Sequence, residues 1–276
     1  VIEISTDTEF KFNVLKEYFQ TINTAAVAYS GGVDSTLLLY TASLNRNLKL
    51  IAYTIRNIMI TDEEINSAEL TAASLNIKHR IIDLDILSYG NIRENSTERC
   101  YHCKTVILNE IIKAASKEGI TTILEGSHSG DMNDYRPGMK AIDELGVISP
   151  LRNTGFDKNN IYELSAFLEL PTSQKESYPC LATRIPYGTA LTDELMKRAD
   201  TAEKIIASFG FRQIRARIHG DILRIEIAEE MIPDITSPVI RKKVFAELKE
   251  AGFKYITLDL QGYRTGSMNI IIEEPQ

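Results

Sequence analysis

The sequence is short of several things. Three cysteines in 276 residues are too few, and of the wrong parity, for the disulfide framework of a secreted domain. Fifteen glycines and eight prolines leave no collagen-like or low-complexity tract. No apolar run approaches the roughly 20 residues that cross a bilayer. The acidic start of the chain carries no basic-then-apolar leader, so the expectation is a cytoplasmic address and no membrane. Cations are outnumbered, 31 Lys and Arg against 38 Asp and Glu. A net charge of -7 argues against long nucleic acid as the main partner, because phosphates need a basic face. A local basic patch is still compatible with that balance. The remaining composition, 43% hydrophobic and 25% charged, is that of a soluble globular protein. The length suggests one large or two modest domains.

From about Ala25 to Glu125, short β-rich apolar runs alternate with amphipathic stretches, the pattern of a parallel sheet covered by helices. Strands are expected at Ala25–Tyr29, Leu50–Thr54, His79–Leu84 and Thr121–Glu125. Thr61-Asp-Glu-Glu64 reads as a capping box opening a helix to about Leu75. Further helices are expected from near Thr97 to Lys117, stopped by Gly119, and from about Asp157 to Leu168. Pro171 to Gly188 reads as a loop, with Pro171, Pro179, Pro186 and Gly188 as breakers. Beyond it the pattern changes: a helix from about Thr192 to Phe209, a hairpin turning at Gly220-Asp221, a helix over Ser237–Ala251 stopped by Gly252, and a strand over Tyr255–Leu260. Residues 1–188 are therefore expected as an α/β domain and residues 189–276 as a small α+β domain.

The strongest local signal is Ala25-Ala-Val-Ala-Tyr-Ser30-Gly31-Gly32-Val33-Asp34-Ser35-Thr36. A buried strand runs into a Ser-Gly-Gly turn and then a helix, so backbone N–H groups at a helix N-terminus face out from the carboxyl edge of the sheet. That arrangement binds phosphate. Gly31 and Gly32 allow close approach and positive φ, Ser30 and Ser35 add hydroxyls, and Asp34 can hold a cation such as Mg2+ beside the phosphates. No Gly-Lys-Ser/Thr follows, so this is not a Walker A loop.

The hairpin carries a second signal. A two-residue turn at Gly220-Asp221 sets residue 217 opposite 224 and 215 opposite 226. Arg215, Arg217, His219, Arg224 and Glu226 then share one face, with Ile214, Ala216, Ile218, Leu223, Ile225 and Ile227 on the other. Arg217 opposite Arg224 is a like-charge pair that calls for an anion or carboxylate between them. An anion site is expected here; a solvated polar face with Glu226–Arg215 pairing and an intersubunit salt-bridge patch are the alternatives. Glu203, on the preceding helix, and Glu226 are candidate metal-binding carboxylates of this cluster.

The run Ser30 to Ser35 resembles the signature of the PP-loop, or N-type ATP pyrophosphatase, family. That resemblance implies adenylylation of a carboxyl or carbonyl-like oxygen by ATP with release of pyrophosphate. It also implies a five-stranded parallel sheet with helices on both faces and an adenine near Ala52-Tyr53-Thr54. Three more stretches resemble one subfamily, the LarE-type sulfur transferases of nickel-pincer nucleotide cofactor synthesis. They are Glu125-Gly-Ser-His-Ser-Gly-Asp-Met-Asn-Asp-Tyr-Arg136-Pro-Gly138, Pro179-Cys180-Leu-Ala-Thr-Arg184-Ile-Pro-Tyr-Gly188 and Thr257-Leu-Asp-Leu-Gln-Gly-Tyr-Arg264-Thr-Gly. With the phosphate loop and the hairpin they cover nearly the whole chain. The implied substrate is a small pyridinium biscarboxylate mononucleotide whose carboxylates become thiocarboxylates, and the family suggests a homo-oligomer. Asp131, Asp134 and Arg136 follow the fourth strand, where Arg136 suits a phosphate or carboxylate and Gly126 allows close ribose approach. On this reading Arg215, Arg217 and Arg224 hold the substrate's 5′-phosphate, and Arg184 serves the site beside Cys180.

Cys100 and Cys103 lie three residues apart near a helix start, on one face and under the positive end of the dipole, with Arg99 and Lys104 flanking them. With Cys180 they make three thiolates and no fourth, enough to hold a [4Fe-4S] cluster with one iron open for an extra sulfide. An external sulfide or sulfur donor would then be required. Three other readings stand beside it: Cys180 as a sacrificial donor that becomes dehydroalanine, a zinc site of the three cysteines with His102 or His128, and inert buried thiols. Rival functions are tRNA thiolation, which needs a basic RNA-tracking surface, a non-catalytic nucleotide sensor, and an amide-forming synthetase, whose chemistry would not use the cysteines.

Overall fold

The computed structural model describes residues 3–130, 137–176, 178–264 and 266–268. In chain order its first elements are α1 (Thr6–Gln20), β1 (Thr24–Ala28), α2 (Val33–Ser43), β2 (Lys49–Arg56), α3 (Asp62–Ser74), β3 (Lys78–Asp83), α4 (Gly90–Arg93), α5 (Arg99–Lys117) and β4 (Ile123–Leu124). There follow α6 (Gly138–Glu144), α7 (Pro150–Asn153), α8 (Lys158–Phe167), α9 (Asp193–Ser208), β5 (Arg215–His219), β6 (Ile222–Glu226), α10 (Ile232–Thr236), α11 (Pro238–Glu250) and β7 (Tyr255–Leu258). The chain divides into two compact units, Val1–Asp85 with Cys100–Tyr178, and Ile86–Arg99 with Pro179–Gln276.

In the first unit the strands run in the order β3-β2-β1-β4, all parallel. Alternation along β1 sends Ala25 and Val27 to one core and Ala26 to the other, as the two-residue period of a strand requires. The first core packs Leu15 and Phe19 of α1, Leu37 and Leu38 of α2, Ala68 of α3 and Ile161 and Leu164 of α8. The second packs Leu108, Ile111 and Ala115 of α5 and Ile142 of α6. A sheet covered on both faces explains why its central strand is apolar throughout instead of alternating with polar residues. The expected helix starts are present: Thr61 Oγ1 accepts from Glu64 N–H, and Asp157 forms a reciprocal capping box with Asn160. Gly119 ends α5 at φ 72°.

The fifth parallel strand is not formed among the described residues. In its place Ile148 makes one isolated parallel bridge to Leu124, its N–H donating to Ile123 O (2.9 Å) and its carbonyl accepting from Glu125 N–H (2.9 Å). Gly146 precedes this bridge, and Pro150, which lacks an N–H and opens α7, closes it after two residues. Helix α1, capped by Ser5, has no counterpart among the expectations drawn from sequence.

The second unit contains the sheet β5-β6-β7, with β5 and β6 antiparallel and β6 and β7 parallel. The register sets Arg217 opposite Arg224 and Arg215 opposite Glu226, as the turn chemistry required, with Gly220 at φ 61°. The segment Ile86–Arg99 joins this unit through backbone bonds, Gly188 N–H to Asn95 O (2.9 Å) and Leu191 N–H to Arg93 O (2.7 Å), and through the side chains of Asn95 and Arg99. Asn95, buried at φ 57°, donates to Pro186 O (2.8 Å) and Thr189 O (3.1 Å) and accepts from Arg99. Within the Pro-rich loop, Leu181–Arg184 form a 3-10 turn.

Candidate functional site

The phosphate loop leaves β1 at the carboxyl edge of the first sheet. Gly31 takes φ 73°, and a Cβ there would lie 2.8 Å from Ala68 Cβ, so glycine is needed for conformation and for space. Gly32 has ordinary extended backbone (φ -80°) and caps α2. Ser30 Oγ lies 3.1 Å from Ser35 Oγ, which also donates to Gly32 O (3.2 Å). The loop is thus held by its own hydroxyls, with the N-terminus of an eleven-residue helix behind it as a source of positive potential.

Two lysines, which local sequence did not signal, reach this loop. Lys158, first residue of α8, donates to Asp34 Oδ1 at 2.6 Å. Lys175 donates to Gly31 O (3.1 Å) and pairs with Glu64 (3.0 Å). The one hint for Lys158 was its place directly after the Asp157 cap. Nothing nearby in sequence pointed to Lys175, because both partnerships span more than a hundred residues.

Thr54 spends its hydroxyl on the sheet: it donates to Tyr29 O (2.7 Å) and so accepts from His79 Nε2 (2.8 Å). Any role for Thr54 toward an adenine would therefore fall to its backbone. Gly126 lies under the start of α2, where a Cβ would stand 3.0 Å from Ser35 N; the close approach seen is to the loop's own backbone. Arg136, with Asp131 and Asp134, lies outside the described residues.

Cys100 and Cys103 occupy the first turn of α5, as expected, and Cys180 immediately precedes the 3-10 turn of the second unit. All three are half-buried and none is in a disulfide. Their basic neighbours are engaged elsewhere: Lys104 ion-pairs with Glu125 at 3.2 Å, and Arg99 donates to Asn95 and to Ala182 O. Among the described residues no three His, Cys, Asp or Glu side chains converge as a metal-holding group. The fit of the cysteines to a metal centre is therefore one of donor type.

Arg184 is fully buried. Its Nε and Nη2 meet Glu203 at 2.7 and 3.0 Å, and its Nη1 donates to Pro179 O (2.9 Å). Glu203 also accepts from Ala216 N–H (2.9 Å). Arg184 thus fastens the Cys180 loop to α9 and β5.

The polar face of the hairpin is buried at Arg215, Arg217 and Glu226 and partly buried at His219 and Arg224, so it is not a solvated face. Arg215 and Arg217 are 4% and 5% exposed and Glu226 is 0%. Glu226 stands between the opposed arginines, accepting from Arg217 (2.8 Å) and pairing with Arg224 (3.2 Å). Asp259, third residue of the Thr257–Gly266 stretch, pairs with Arg224 at 2.6 Å. Arg215 lies 4.7 Å over the Tyr263 ring, and burial, then the charge of Arg184, lowers its pKa. Three carboxylates, Glu203, Glu226 and Asp259, thus answer four arginines, with Glu203 and Glu226 occupied by guanidinium groups. The Nε atoms of Arg217 and Arg224 and Nε2 of His219 are buried without a hydrogen-bond partner among the described residues. A cavity of about 540 Å³ lined by His219, Arg224, Ser267, Pro186 and Met268 opens beside them.

No family model matches the chain. It is 36% identical over 252 residues, 91% of this chain and 90% of the relative, to pyridinium-3,5-bisthiocarboxylic acid mononucleotide synthase of Lactiplantibacillus plantarum. An uncharacterised protein of Synechocystis is 32% identical over 96% of this chain and 98% of its own. An uncharacterised protein of Methanocaldococcus jannaschii is 27% identical over 92% and 95%. Since a named synthase aligns with the phosphate loop, the cysteine loop and the hairpin in one span, the chain belongs to the LarE family, that of the pyridinium-3,5-bisthiocarboxylic acid mononucleotide synthases.

Proposed function

We propose that this protein is an ATP-dependent sulfur transferase that converts carboxylates of a pyridinium biscarboxylate mononucleotide into thiocarboxylates, for the synthesis of a nickel-pincer nucleotide cofactor. The observation that carries the reading is a phosphate loop with Asp34 and Lys158 at its mouth, in a chain aligned over nine tenths of its length with a bisthiocarboxylate synthase. A substrate carboxylate oxygen attacks the α-phosphorus of ATP and pyrophosphate leaves. A sulfur nucleophile then adds to the acyl carbon, and AMP departs with the original oxygen. Amides at the start of α2 hold the polyphosphate. Asp34 suits Mg2+, which is commonly bound through one or two carboxylates plus substrate phosphates and water.

Cys100, Cys103 and Cys180 are the residues that would hold a [4Fe-4S] cluster, which would supply an iron able to carry the transferable sulfide. The CxxC pair favours this over sacrifice of Cys180 alone, since sacrifice needs only one cysteine. Arg217 and Arg224 offer two buried N–H donors lacking an acceptor among the described residues, a costly state unless a ligand completes it. That supports assignment of the hairpin, with Arg215, to the substrate phosphate.

Anaerobic purification tests the cluster: a brown protein with about four irons, colourless as Cys100→Ala, is expected, and a protein left colourless after anaerobic reconstitution would refute it. Pyrophosphate release that depends on the biscarboxylate mononucleotide tests adenylylation; release independent of that substrate would count against it.

A further inference from the structure

The dipeptide at the exit of β4 faces two ways. Glu125 is 2% exposed, and its carboxylate accepts from Ser127 N–H (3.0 Å), Ser127 Oγ (2.8 Å), Ser149 Oγ and Lys104 Nζ (3.2 Å). Burial disfavours its charge, but Lys104 and these hydrogen bonds outweigh burial and hold the carboxyl below its ordinary range. Gly126, the next residue, packs directly on the backbone of Ser35 in the phosphate loop. Lys104, in turn, follows Cys103 and stands one helical turn beyond Cys100.

The body of α5 does not need this ion pair. Leu108, Ile111 and Ala115 anchor it in the second core. Among the described residues its first turn contributes no side chain to that core, and polar contacts reach it and the residue that follows. Tyr101 Oη donates to Glu144 (2.6 Å), Lys140 lies over the Tyr101 ring, and Lys104 meets Glu125.

We infer that Glu125 is a positioning residue: through Lys104 it registers the Cys100–Cys103 turn against the phosphate loop, so that delivery of sulfur, and not adenylylation, depends on the Lys104–Glu125 pair. The inference rests on the sulfur-transfer reading above. A purely structural role would lower both half-reactions together, whereas a registering role separates them, because the misplaced Cys100–Cys103 turn takes part in sulfur delivery and not in adenylylation, and a small misplacement of reacting groups slows only the step they react in.

The test uses Glu125→Gln, which keeps the side chain's size and an acceptor, Lys104→Met, which keeps the stem without the charge, and Lys104→Arg, which can re-form the pair. Pyrophosphate and thiocarboxylate are measured in one reaction with ATP, Mg2+, the biscarboxylate mononucleotide and sodium sulfide. Alkylation rates of each cysteine by iodoacetamide are mapped by peptide mass spectrometry on the metal-free protein. For Glu125→Gln and Lys104→Met the expected result is pyrophosphate release within about twofold of wild type and at least a roughly tenfold fall in thiocarboxylate formed per pyrophosphate. Alkylation of Cys100 and Cys103 should change while that of Cys180 holds, and Lys104→Arg should restore both readouts. Proportional loss of both products, or unchanged alkylation of Cys100 and Cys103, would overturn it. If wild type released no pyrophosphate, the parent reading would fail, and the alkylation rates, which need no turnover, would still decide the positioning.

Discussion

Lys158 Nζ lies 2.6 Å from Asp34 Oδ1, so the first turn of α8 delivers a cation to the first turn of α2. Both side chains are about a third exposed, and ion pairs of that kind add little to stability. On the proposed function the same ammonium serves a polyphosphate on the loop. Lys158→Met should therefore leave the unfolding free energy within about 1 kcal/mol of wild type. It should raise the dissociation constant for ATP about tenfold or more, the value of one charge-assisted hydrogen bond, with little change for AMP. Calorimetric titration with both nucleotides checks this; equal loss for AMP would place Lys158 away from the outer phosphates.

Arg217 is the arginine that most directly tests the hairpin. Arg217→Ala should weaken binding of the phosphorylated nucleotide far more than of its dephosphorylated form, and equal loss would sink the phosphate assignment. It should also destabilise the fold, because the fully buried Glu226 would lose its Arg217 donor. Stranding a buried charge costs about 3–5 kcal/mol, and Arg224 and Ser267, which also hold Glu226, keep the loss below that.

Arg184 gives a different signature, since its partners are Glu203 and the backbone of the Cys180 loop. Arg184→Met leaves Glu203 buried without its guanidinium and should cost about 3–5 kcal/mol in urea unfolding. Alkylation of Cys180 should accelerate as Pro179 O loses its donor. A variant with wild-type stability would show that the pair is not the fastener.

Two half-buried histidines set a pH dependence. Burial lowers the pKa of His79, and burial followed by the charges of Arg224 and Arg217 lowers that of His219. Both are below the unfolded value, so only well above about pH 6.5 does neither state gain a proton in preference to the other. As pH falls through about 6.5, the unfolded chain binds protons first and stability declines until the folded-state values are passed. Denaturant melts from pH 7.5 to 5 should show this loss. His79→Gln should reduce it, and an unchanged slope in that variant would remove His79 from the account.

Short-range chemistry explains what could be read from the chain alone. The Gly220-Asp221 turn set Arg217 against Arg224 by counting residues, and β1, the phosphate loop and the starts of α3, α8 and α9 followed from local capping and periodicity. Long-range partnerships were not legible. A two-residue period says which side chains share a face but not what covers it, so the burial of Arg215 and Arg217 and the pairing of Arg224 with Asp259 came only with the fold. The lysines on the phosphate loop were missed for the same reason. Among the described residues a fifth strand is reduced to one bridge at Ile148, for a local reason that the motif-based expectation passed over, the closeness of Gly146 and Pro150 around it.

The claim at the centre of this account is transfer of sulfur to an ATP-activated carboxyl by a protein that keeps its cysteines. Intact-protein and product mass spectrometry after anaerobic incubation with ATP, Mg2+, the biscarboxylate mononucleotide and sulfide tests it directly. The prediction is several thiocarboxylates per protein chain, each accompanied by AMP, with the protein's mass unchanged. Loss of one hydrogen sulfide equivalent from Cys180 with a single turnover, or a product that keeps both carboxylate oxygens and gains no sulfur, would contradict it.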